Sequence, residues 1–256
     1  MSLAPVKQVF YTLFFLFISI IVNAQKLPKV QQESVYASAD IKIDGKATEW
    51  GDQFQAYNHA TELYYIMAND DKSLYLIVQV KDKYAINRIV GGGITLYVNK
   101  EDKKTNKGSA GITFPVSEGK NKWLQFSLTV KVNDSVAKVR NKLLQNTFKR
   151  LKTTGMEGLD EWISLYKEDG IKAAEFFDGT GAYNWKLTVP LKCLGLNTEA
   201  ASKFAYHIVV NGRQNYVDIF GPEPENATGI VAAVHAKYAR QFMPTDFWGE
   251  YTLAKK

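Results

Sequence analysis

The residues that could carry out catalysis are few in this chain, and their spacing does not predict an active site. His59, His207 and His235 lack the separation of one helical turn that is typical of a histidine pair binding a metal. Cys193 is the only cysteine, and its apolar neighbours are typical of a buried thiol rather than of a nucleophile. We therefore expect a protein that is not an enzyme and that uses no cofactor and no metal.

One polar segment has instead the composition of a ligand-binding loop. Residues 211–220 read Asn-Gly-Arg-Gln-Asn-Tyr-Val-Asp-Ile-Phe, so donors, acceptors and aromatic rings directly follow a predicted core strand. A few placed polar groups beside an aromatic surface are what a small-molecule or sugar site uses. The alternative is a polar hairpin that only connects two strands.

The first 24 residues have the layout of a secretory signal peptide. A short start with Lys7 precedes an apolar run from Val9 to Val22, and cleavage is expected after Ala24. The run is shorter than a usual membrane span, so we expect no stable membrane insertion once the signal is removed. No cysteine lies near the cleavage point for lipid attachment. These features predict a secreted or periplasmic protein.

The charge limits the classes of partner, and the cysteine content limits the source of stability. The formal net charge is +6 and falls to +5 without Lys7, and the lysines are scattered along the chain. In an exported protein this pattern argues against nucleic acid as a partner. A single cysteine excludes an internal disulfide, so stability must come from a hydrophobic core. We expect residues 25–256 to form one domain.

The segments that would position a site alternate apolar and polar residues with a period of two, which predicts β-strands. The predicted strands are Leu74–Val80, Ile94–Val98, Trp123–Val130, Trp162–Tyr166, Ile171–Phe177, Tyr183–Val189, Phe204–Val210 and Trp248–Leu253. Residues 167–170 and 178–181 have the composition of tight turns, so the strands that flank each are expected to form hairpins. Trp185 and Trp248 lie within strand patterns and are expected in the core. Many short strands joined by turns predict an all-β fold, an antiparallel two-sheet β-sandwich.

One inserted amphipathic helix is predicted from Ser135 to about Leu151. Asn133 or Asp134 can cap its start. Its expected apolar face consists of Val136, Val139, Leu143, Phe148 and Leu151. The opposite face is rich in Lys and Arg, which is compatible with binding to a membrane surface. We favour a helix that packs on a sheet with a solvated outer face.

Four segments, in order, resemble the landmarks of family 9 carbohydrate-binding modules and of the wider group of DOMON-like jelly-roll sandwiches. Residues 41–52 read Ile-Lys-Ile-Asp-Gly-Lys-Ala-Thr-Glu-Trp-Gly-Asp, in which Asp-Gly ends a strand and Trp50 follows. The later landmarks are residues 70–82, 183–191 and 246–253. The resemblance covers nearly all of residues 25–256 and implies a sandwich with a sugar site. On physical grounds Trp50 is expected to pack in the core.

The resemblance also implies how that sugar site has changed. In the family, two tryptophans hold a sugar end and carboxylates bind calcium. Here Ile89 stands about where the first tryptophan would be, and the glycines of residues 91–93 replace acidic residues. Isoleucine has no π face and glycine no side-chain oxygen, so both sites are expected to be absent.

A different site is expected in the segment where the family places its second aromatic residue. The resemblance implies ligand contacts by Arg213, Tyr216 and Phe220, with Asn211 and Arg88 behind them. Some DOMON-like domains bind haem through a Met and a His. Met67 and His207 are the candidates here, although we favour packing roles for both.

Two functions remain open from the sequence. The first is a non-catalytic, exported bacterial protein that binds a polysaccharide or oligosaccharide. The alternative is a structural or assembly domain at the cell envelope that binds another protein. An exposed aromatic platform on a concave face would favour the first, and a broad flat apolar patch the second.

Overall fold

A computed structural model describes residues 26–37, 41–46, 48–50, 53–116, 126–127, 129–166, 170–197, 202–212, 229 and 242–256. The predicted signal peptide lies outside these ranges. Within them, neither helix has the length and apolar character needed to span a bilayer.

Eleven strands are formed by the described residues. Their bounds are β1 (Ala56–Asn58), β2 (Leu63–Asn69), β3 (Ser73–Val80), β4 (Ile94–Asn99), β5 (Ala110–Phe114), β6 (Arg150–Thr154), β7 (Trp162–Ser164), β8 (Lys172–Phe177), β9 (Tyr183–Pro190), β10 (Lys203–Val210) and β11 (Thr245–Thr252). Two helices, α1 (Lys83–Gly92) and α2 (Asp134–Thr147), and two short 3-10 turns, Thr48–Trp50 and Leu191–Leu194, complete the described elements.

The strands form two sheets, which confirms the predicted all-β, antiparallel two-sheet sandwich. The five-stranded sheet has the order β1-β2-β3-β9-β8, and the six-stranded sheet has the order β11-β10-β4-β5-β6-β7. All neighbouring strands in both sheets are antiparallel. The six-stranded sheet therefore joins strands that are far apart in the sequence.

The main core lies between the sheets, where alternate residues of each strand face inward. Trp185, Tyr65 and Tyr206 are fully buried there. Two hydrogen bonds cross the core: the indole Nε1 of Trp185 donates to the carbonyl of Phe114 at 3.0 Å, and the hydroxyls of Tyr65 and Tyr206 are 2.9 Å apart. Burying one such aromatic side chain contributes about 2–3 kcal/mol. The prediction that Trp185 lies in the core is confirmed.

A smaller apolar cluster lies on the outer face of the five-stranded sheet. Phe54, Ile66 and Ile77 are its buried members, and Trp50 packs against them. Lys186 of β9 is also fully buried on this face, where its ammonium group contacts Glu49 at 2.6 Å. The 41–50 segment therefore has a structural role, because it covers the sheet and neutralises a buried charge.

Helix α1 was not predicted, because a run of three glycines before β4 is typical of a flexible segment. The Asp82 carboxylate caps its start by accepting from the backbone N–H of Ala85 at 2.8 Å. Gly93 ends it with φ at 82° and donates its N–H to the carbonyl of Ile89. The helix connects β3 of one sheet to β4 of the other and buries Ile86 and Ile89 in the main core.

Helix α2 is the predicted amphipathic helix, but its end and its buried face differ from the prediction. The side-chain oxygen of Asn133 caps its start by accepting from the backbone N–H of Val136, as expected. The helix ends at Thr147, and residues 150–154 form β6 instead. The buried side chains are Ala137, Arg140, Asn141 and Leu144. Two residues of the predicted apolar face, Val139 and Leu143, are exposed.

The buried face of α2 is set by the edge of β8 that it covers. The Asn141 side chain accepts from the backbone N–H of Phe177 at 2.7 Å and donates to its carbonyl at 2.9 Å. These are the bonds that a further strand would make, so the helix satisfies the unpaired edge of the sheet. A polar residue therefore outweighs two apolar residues in orienting the helix.

Three strand-level predictions were also wrong. Trp162–Ser164 and Lys172–Phe177 do not form a hairpin, because β7 ends one sheet and β8 ends the other. Of the predicted strand Trp123–Val130, residues 126–127 and 129–130 are not in a strand, and the others lie outside the described residues. Trp248 is not in the core, because Phe247 and Tyr251 of β11 face inward in its place.

Candidate functional site

Three aromatic side chains lie next to one another on the outer face of the six-stranded sheet. The strand register pairs His207 of β10 with Tyr97 of β4 on one side and with Trp248 of β11 on the other. Neighbouring strands are about 4.8 Å apart, so side chains at paired positions are in contact. We call Tyr97, His207 and Trp248 the aromatic row.

The rings of the aromatic row stack across the strands. The imidazole of His207 and the indole of Trp248 have centroids 4.2 Å apart and planes inclined by 9°. Tyr97 and His207 have centroids 6.1 Å apart and planes inclined by 28°. Tyr97 and Trp248 are both partly exposed. Because β11 is the edge strand, no neighbouring strand of the described residues covers the second face of the indole.

A glycine on the neighbouring strand leaves room for the Tyr97 ring. Gly111 of β5 pairs with Tyr97, and a Cβ atom at Gly111 would lie 2.7 Å from Cε1 of that ring. This separation is shorter than a carbon–carbon contact allows. The ring therefore lies over the backbone of β5, and the aromatic row extends over four strands.

Both ring nitrogens of His207 have hydrogen-bond partners. Nε2 lies 2.8 Å from a carboxylate oxygen of Asp246, and Nδ1 lies 2.9 Å from the side-chain oxygen of Asn106. The side chain is only 11% exposed. These contacts fix the imidazole between its aromatic neighbours, which suits a positioning role better than proton transfer to a ligand.

Hydroxyl and amide groups lie beside the aromatic row on the same face. The hydroxyls of Thr95 and Thr113 are 2.7 Å apart, and the Asn211 side-chain amide donates to the Thr95 hydroxyl at 2.8 Å. Together they form a polar strip across β4 and β5. Such groups can bond sugar hydroxyls whose ring packs on an aromatic side chain.

A second tryptophan lies at the opposite edge of this face. Trp162 of β7 is partly exposed, with the guanidinium of Arg150 and the ammonium of Lys152 at 5.5 and 5.7 Å from its ring. It borders a cavity of about 400 Å³ that is also lined by Asp160 and Ser164. Trp162 and Trp248 are five strand spacings apart, roughly 24 Å.

The charged side chains around this face are paired with one another. Lys203 contacts Asp102 and Glu250, both at 2.7 Å, and Lys104 contacts Glu250 at 3.0 Å. Hydrogen bonds from the two lysines lower the pKa of Glu250, and those from Lys203 to Asp102 and Glu250 raise the pKa of Lys203 to about 12. At the other edge Lys152 contacts Glu161 at 3.0 Å. Mutual pairing leaves little net charge to attract an ionic ligand.

Of the five residues that the sequence singled out, two lie within the described residues. Asn211 follows β10, where its N–H donates to the carbonyl of Gly93 and its side chain joins the polar strip. Arg88 is 6% exposed in α1, where it donates to the carbonyl of Met243, and burial lowers its pKa. Arg213, Tyr216 and Phe220 lie outside the described residues. Ligand contact by all five therefore stays a prediction.

The other candidate residues are separated by the fold. Met67 is fully buried between the sheets, whereas His207 lies on the outer side of the six-stranded sheet, so the two cannot bind one haem from opposite sides. Ile89 is fully buried in α1 and presents no surface to a ligand. Cys193 is partly buried, and burial raises the pKa of its thiol.

Within the described ranges no three His, Cys, Asp or Glu side chains are grouped as a metal site would require. No family model matches the chain, and no curated protein matches it. The site must therefore be interpreted from its own geometry: a sheet face with stacked aromatic rings, hydroxyls and mutually paired charges.

Proposed function

We propose that this protein binds a neutral glycan chain along the outer face of the six-stranded sheet and does not transform it. The observation that carries the proposal is the aromatic row of Tyr97, His207 and Trp248, with Trp162 at the far edge of the same face. The apolar face of a sugar ring packs on aromatic side chains, while its hydroxyls bond polar groups beside them.

Two features favour a chain over a single sugar and a neutral glycan over an acidic one. The roughly 24 Å between the tryptophans is several times the width of one sugar ring. Lys104, Lys203 and Lys152 at this face already contact carboxylates, and a uronate or sulfate would have to compete with Glu250 and Glu161 for them.

We also propose that the protein is exported and that it is related to family 9 carbohydrate-binding modules or to other DOMON-like domains. The signal peptide would deliver the protein to the periplasm or the medium, where polysaccharides are accessible. Intact mass of the protein recovered from its native host tests this part. We expect a mature chain that begins at Gln25. A chain that still carries residues 1–24 and is recovered from the cytoplasmic fraction would contradict export.

The binding test is a calorimetric titration with soluble neutral polysaccharides and with their oligosaccharides of increasing length. We expect at least one neutral polymer to bind and the affinity to increase with chain length. Trp248→Ala and Trp162→Ala are each expected to weaken binding by about tenfold or more, as loss of a central aromatic contact does.

The matched control is Phe176→Ala, which removes a partly exposed aromatic side chain from the outer face of the other sheet. It should leave the affinity unchanged. Absence of binding across neutral and acidic polysaccharides would refute the proposal. An equal loss in the Phe176 variant would refute the assignment to the six-stranded sheet.

A further inference from the structure

Helix α2 leaves apolar side chains in solvent beside its buried face. Val139 is 62% exposed and Leu143 is 42% exposed, and Val130, in the segment before the helix, is 43% exposed. These are three of the five large exposed hydrophobic side chains in the part of the chain that the structure describes. Their proximity makes one apolar patch rather than scattered surface residues.

The patch forms a shallow hollow that is largely open to solvent. The three side chains line this hollow of about 380 Å³ together with Phe126, Val136 and Arg140. We call this hollow the α2 trough. A shallow apolar hollow of this kind can accept the apolar face of an amphipathic helix.

A basic cleft continues from the α2 trough. It has a volume of about 380 Å³, shares Phe126 and Arg140 with the trough, and adds Lys81, Lys83 and Lys131. Among the described residues that line the two hollows there is no Asp or Glu. Asp178, in the adjoining turn, accepts hydrogen bonds from the backbone and hydroxyl groups of that turn.

Arg140 fixes the junction between the trough and the cleft. Its guanidinium lies 4.7 Å from the ring of Phe126 and 5.1 Å from the ring of Phe177, and it donates to the carbonyl of Ser127 at 3.3 Å. Lys138 and Lys142 are exposed on α2 beyond the apolar patch. The trough is therefore bordered by positive charge on both sides.

We propose that the α2 trough binds an acidic amphipathic helix of a partner protein. Aliphatic side chains of that helix would occupy the hollow beside Val139 and Leu143, and its carboxylates would contact Lys131 at the cleft and the exposed lysines of α2. This charge complementarity selects an acidic segment over a basic or neutral one. The site is separate from the aromatic row and does not depend on glycan binding.

The probe is a fluorescein-labelled peptide of about 15 residues, with leucines at helical spacing and flanking glutamates, titrated with the full chain and followed by anisotropy. Saturable binding is expected. Val139→Ser combined with Leu143→Ser should weaken it by about tenfold or more, and Lys131→Glu with Lys142→Glu by a similar factor. Both pairs are surface changes, so thermal unfolding should be unaltered, which separates lost binding from lost folding.

Tyr166→Ser is the matched control, because Tyr166 is a large hydrophobic residue that is 75% exposed and lines neither the trough nor the cleft. It should not change the affinity. A peptide with the same leucines but flanking lysines should bind at least about tenfold more weakly. Failure of the glutamate peptide to bind, or equal binding of both peptides, would overturn the proposal. The proposal would also be overturned, in favour of a lipid surface, if the protein sediments with anionic phospholipid vesicles and the Val139 and Leu143 changes abolish that sedimentation.

Discussion

The buried ion pair of Lys186 provides the sharpest test of how the fold is held together. Its ammonium group lies 2.6 Å from Oε2 of Glu49, 3.0 Å from the carbonyl of Lys42 and 3.6 Å from Oδ1 of Asp44. Lys186 is fully buried on β9, which lies between β3 and the edge strand β8. We expect this contact to fasten the 41–50 segment over the outer face of the sheet.

The expected magnitude follows from the burial of the partners. Removing one partner of a fully buried ion pair costs about 3–5 kcal/mol, because the other charge is left unpaired. The side chain of Glu49 is 16% exposed and that of Asp44 is 41% exposed, so water compensates part of the loss. Lys186→Met leaves partly solvated carboxylates and should lower the free energy of unfolding by about 1–2 kcal/mol, whereas Glu49→Gln leaves the buried ammonium group without its nearest carboxylate and should lower it by about 2–3 kcal/mol.

A double-mutant cycle measured by urea denaturation checks this reasoning. If the two groups interact directly, the Lys186→Met, Glu49→Gln double variant should lose less stability than the sum of the single variants, by about 1 kcal/mol or more. Lys152→Met is the control. Its partner Glu161 is at 3.0 Å in an exposed pair, so a change below about 1 kcal/mol is expected.

The pH dependence of the same pair has a defined sign. Partial burial acts to raise the pKa of Glu49, but the hydrogen bond from Lys186, the hydrogen bonds from the backbone N–H groups of Glu49 and Lys42, and the charge of Lys186 together outweigh it, so the pKa is lowered. Stability from this group is therefore present at neutral pH and is lost as the pH falls through the lowered pKa. Glu49→Gln should flatten the acid limb of the stability curve. Additive single effects, or a Lys186→Met variant as stable as the parent chain, would refute the argument.

Two further changes test the core edge and the aromatic row. Burial raises the pKa of Glu175 to about 8, although a hydrogen bond from the Tyr183 hydroxyl lowers it by a smaller amount. The native state therefore loses stability as the pH rises from about 4.3, the pKa in the unfolded chain, to about 8. Glu175→Gln should remove that slope and stabilise the chain at pH 9 by about 1–3 kcal/mol in urea denaturation, and an unchanged slope would contradict it. Gly111→Ala should displace the Tyr97 ring and weaken glycan binding severalfold in calorimetry, with a change in stability below about 1 kcal/mol. Unchanged affinity would exclude Tyr97 from the site.

The strands were predictable because burial on one face leaves a direct trace in the sequence. Leu74, Leu76, Val78 and Val80 alternate along β3, and all four lie in the main core. Their pairing was less predictable. The turn residues before β8 are the same whether the chain reverses within a sheet or crosses to the other sheet, so a hairpin was predicted between β7 and β8 where none forms.

The sequence contains a helix signal for α1, but the glycines that follow it outweighed that signal in the prediction. Asp82 is a good cap, and Ile86, Ile89 and Val90 follow at helical spacing. The three successive glycines suggested instead an irregular segment. Among them only Gly93 needs a positive φ, whereas Gly92 is required by a close approach of the backbone, since a Cβ atom there would lie 2.4 Å from the carbonyl oxygen of Gly212.

The aromatic row could not be predicted, because its members come from β4, β10 and β11, which are brought together by the order of strands in the sheet. Trp248 also follows Phe247 directly, so alternation alone does not tell which of the two faces inward. The local signal that was available is Gly111, since an interior glycine in a strand often marks the close approach of another group.

The two proposed surfaces differ in the charged side chains that line them, and this difference separates their ligands. On the outer face of the six-stranded sheet, lysines contact carboxylates of the same face, which leaves the partly exposed rings of Tyr97, Trp162 and Trp248 and the Thr113 hydroxyl as the available groups. The α2 trough and the basic cleft beside it are lined by cationic side chains and by no described Asp or Glu. Added salt should therefore weaken peptide binding much more than glycan binding. Because α2 packs against β8 of the other sheet, a ligand at one surface leaves the other accessible, and the two binding free energies should be independent.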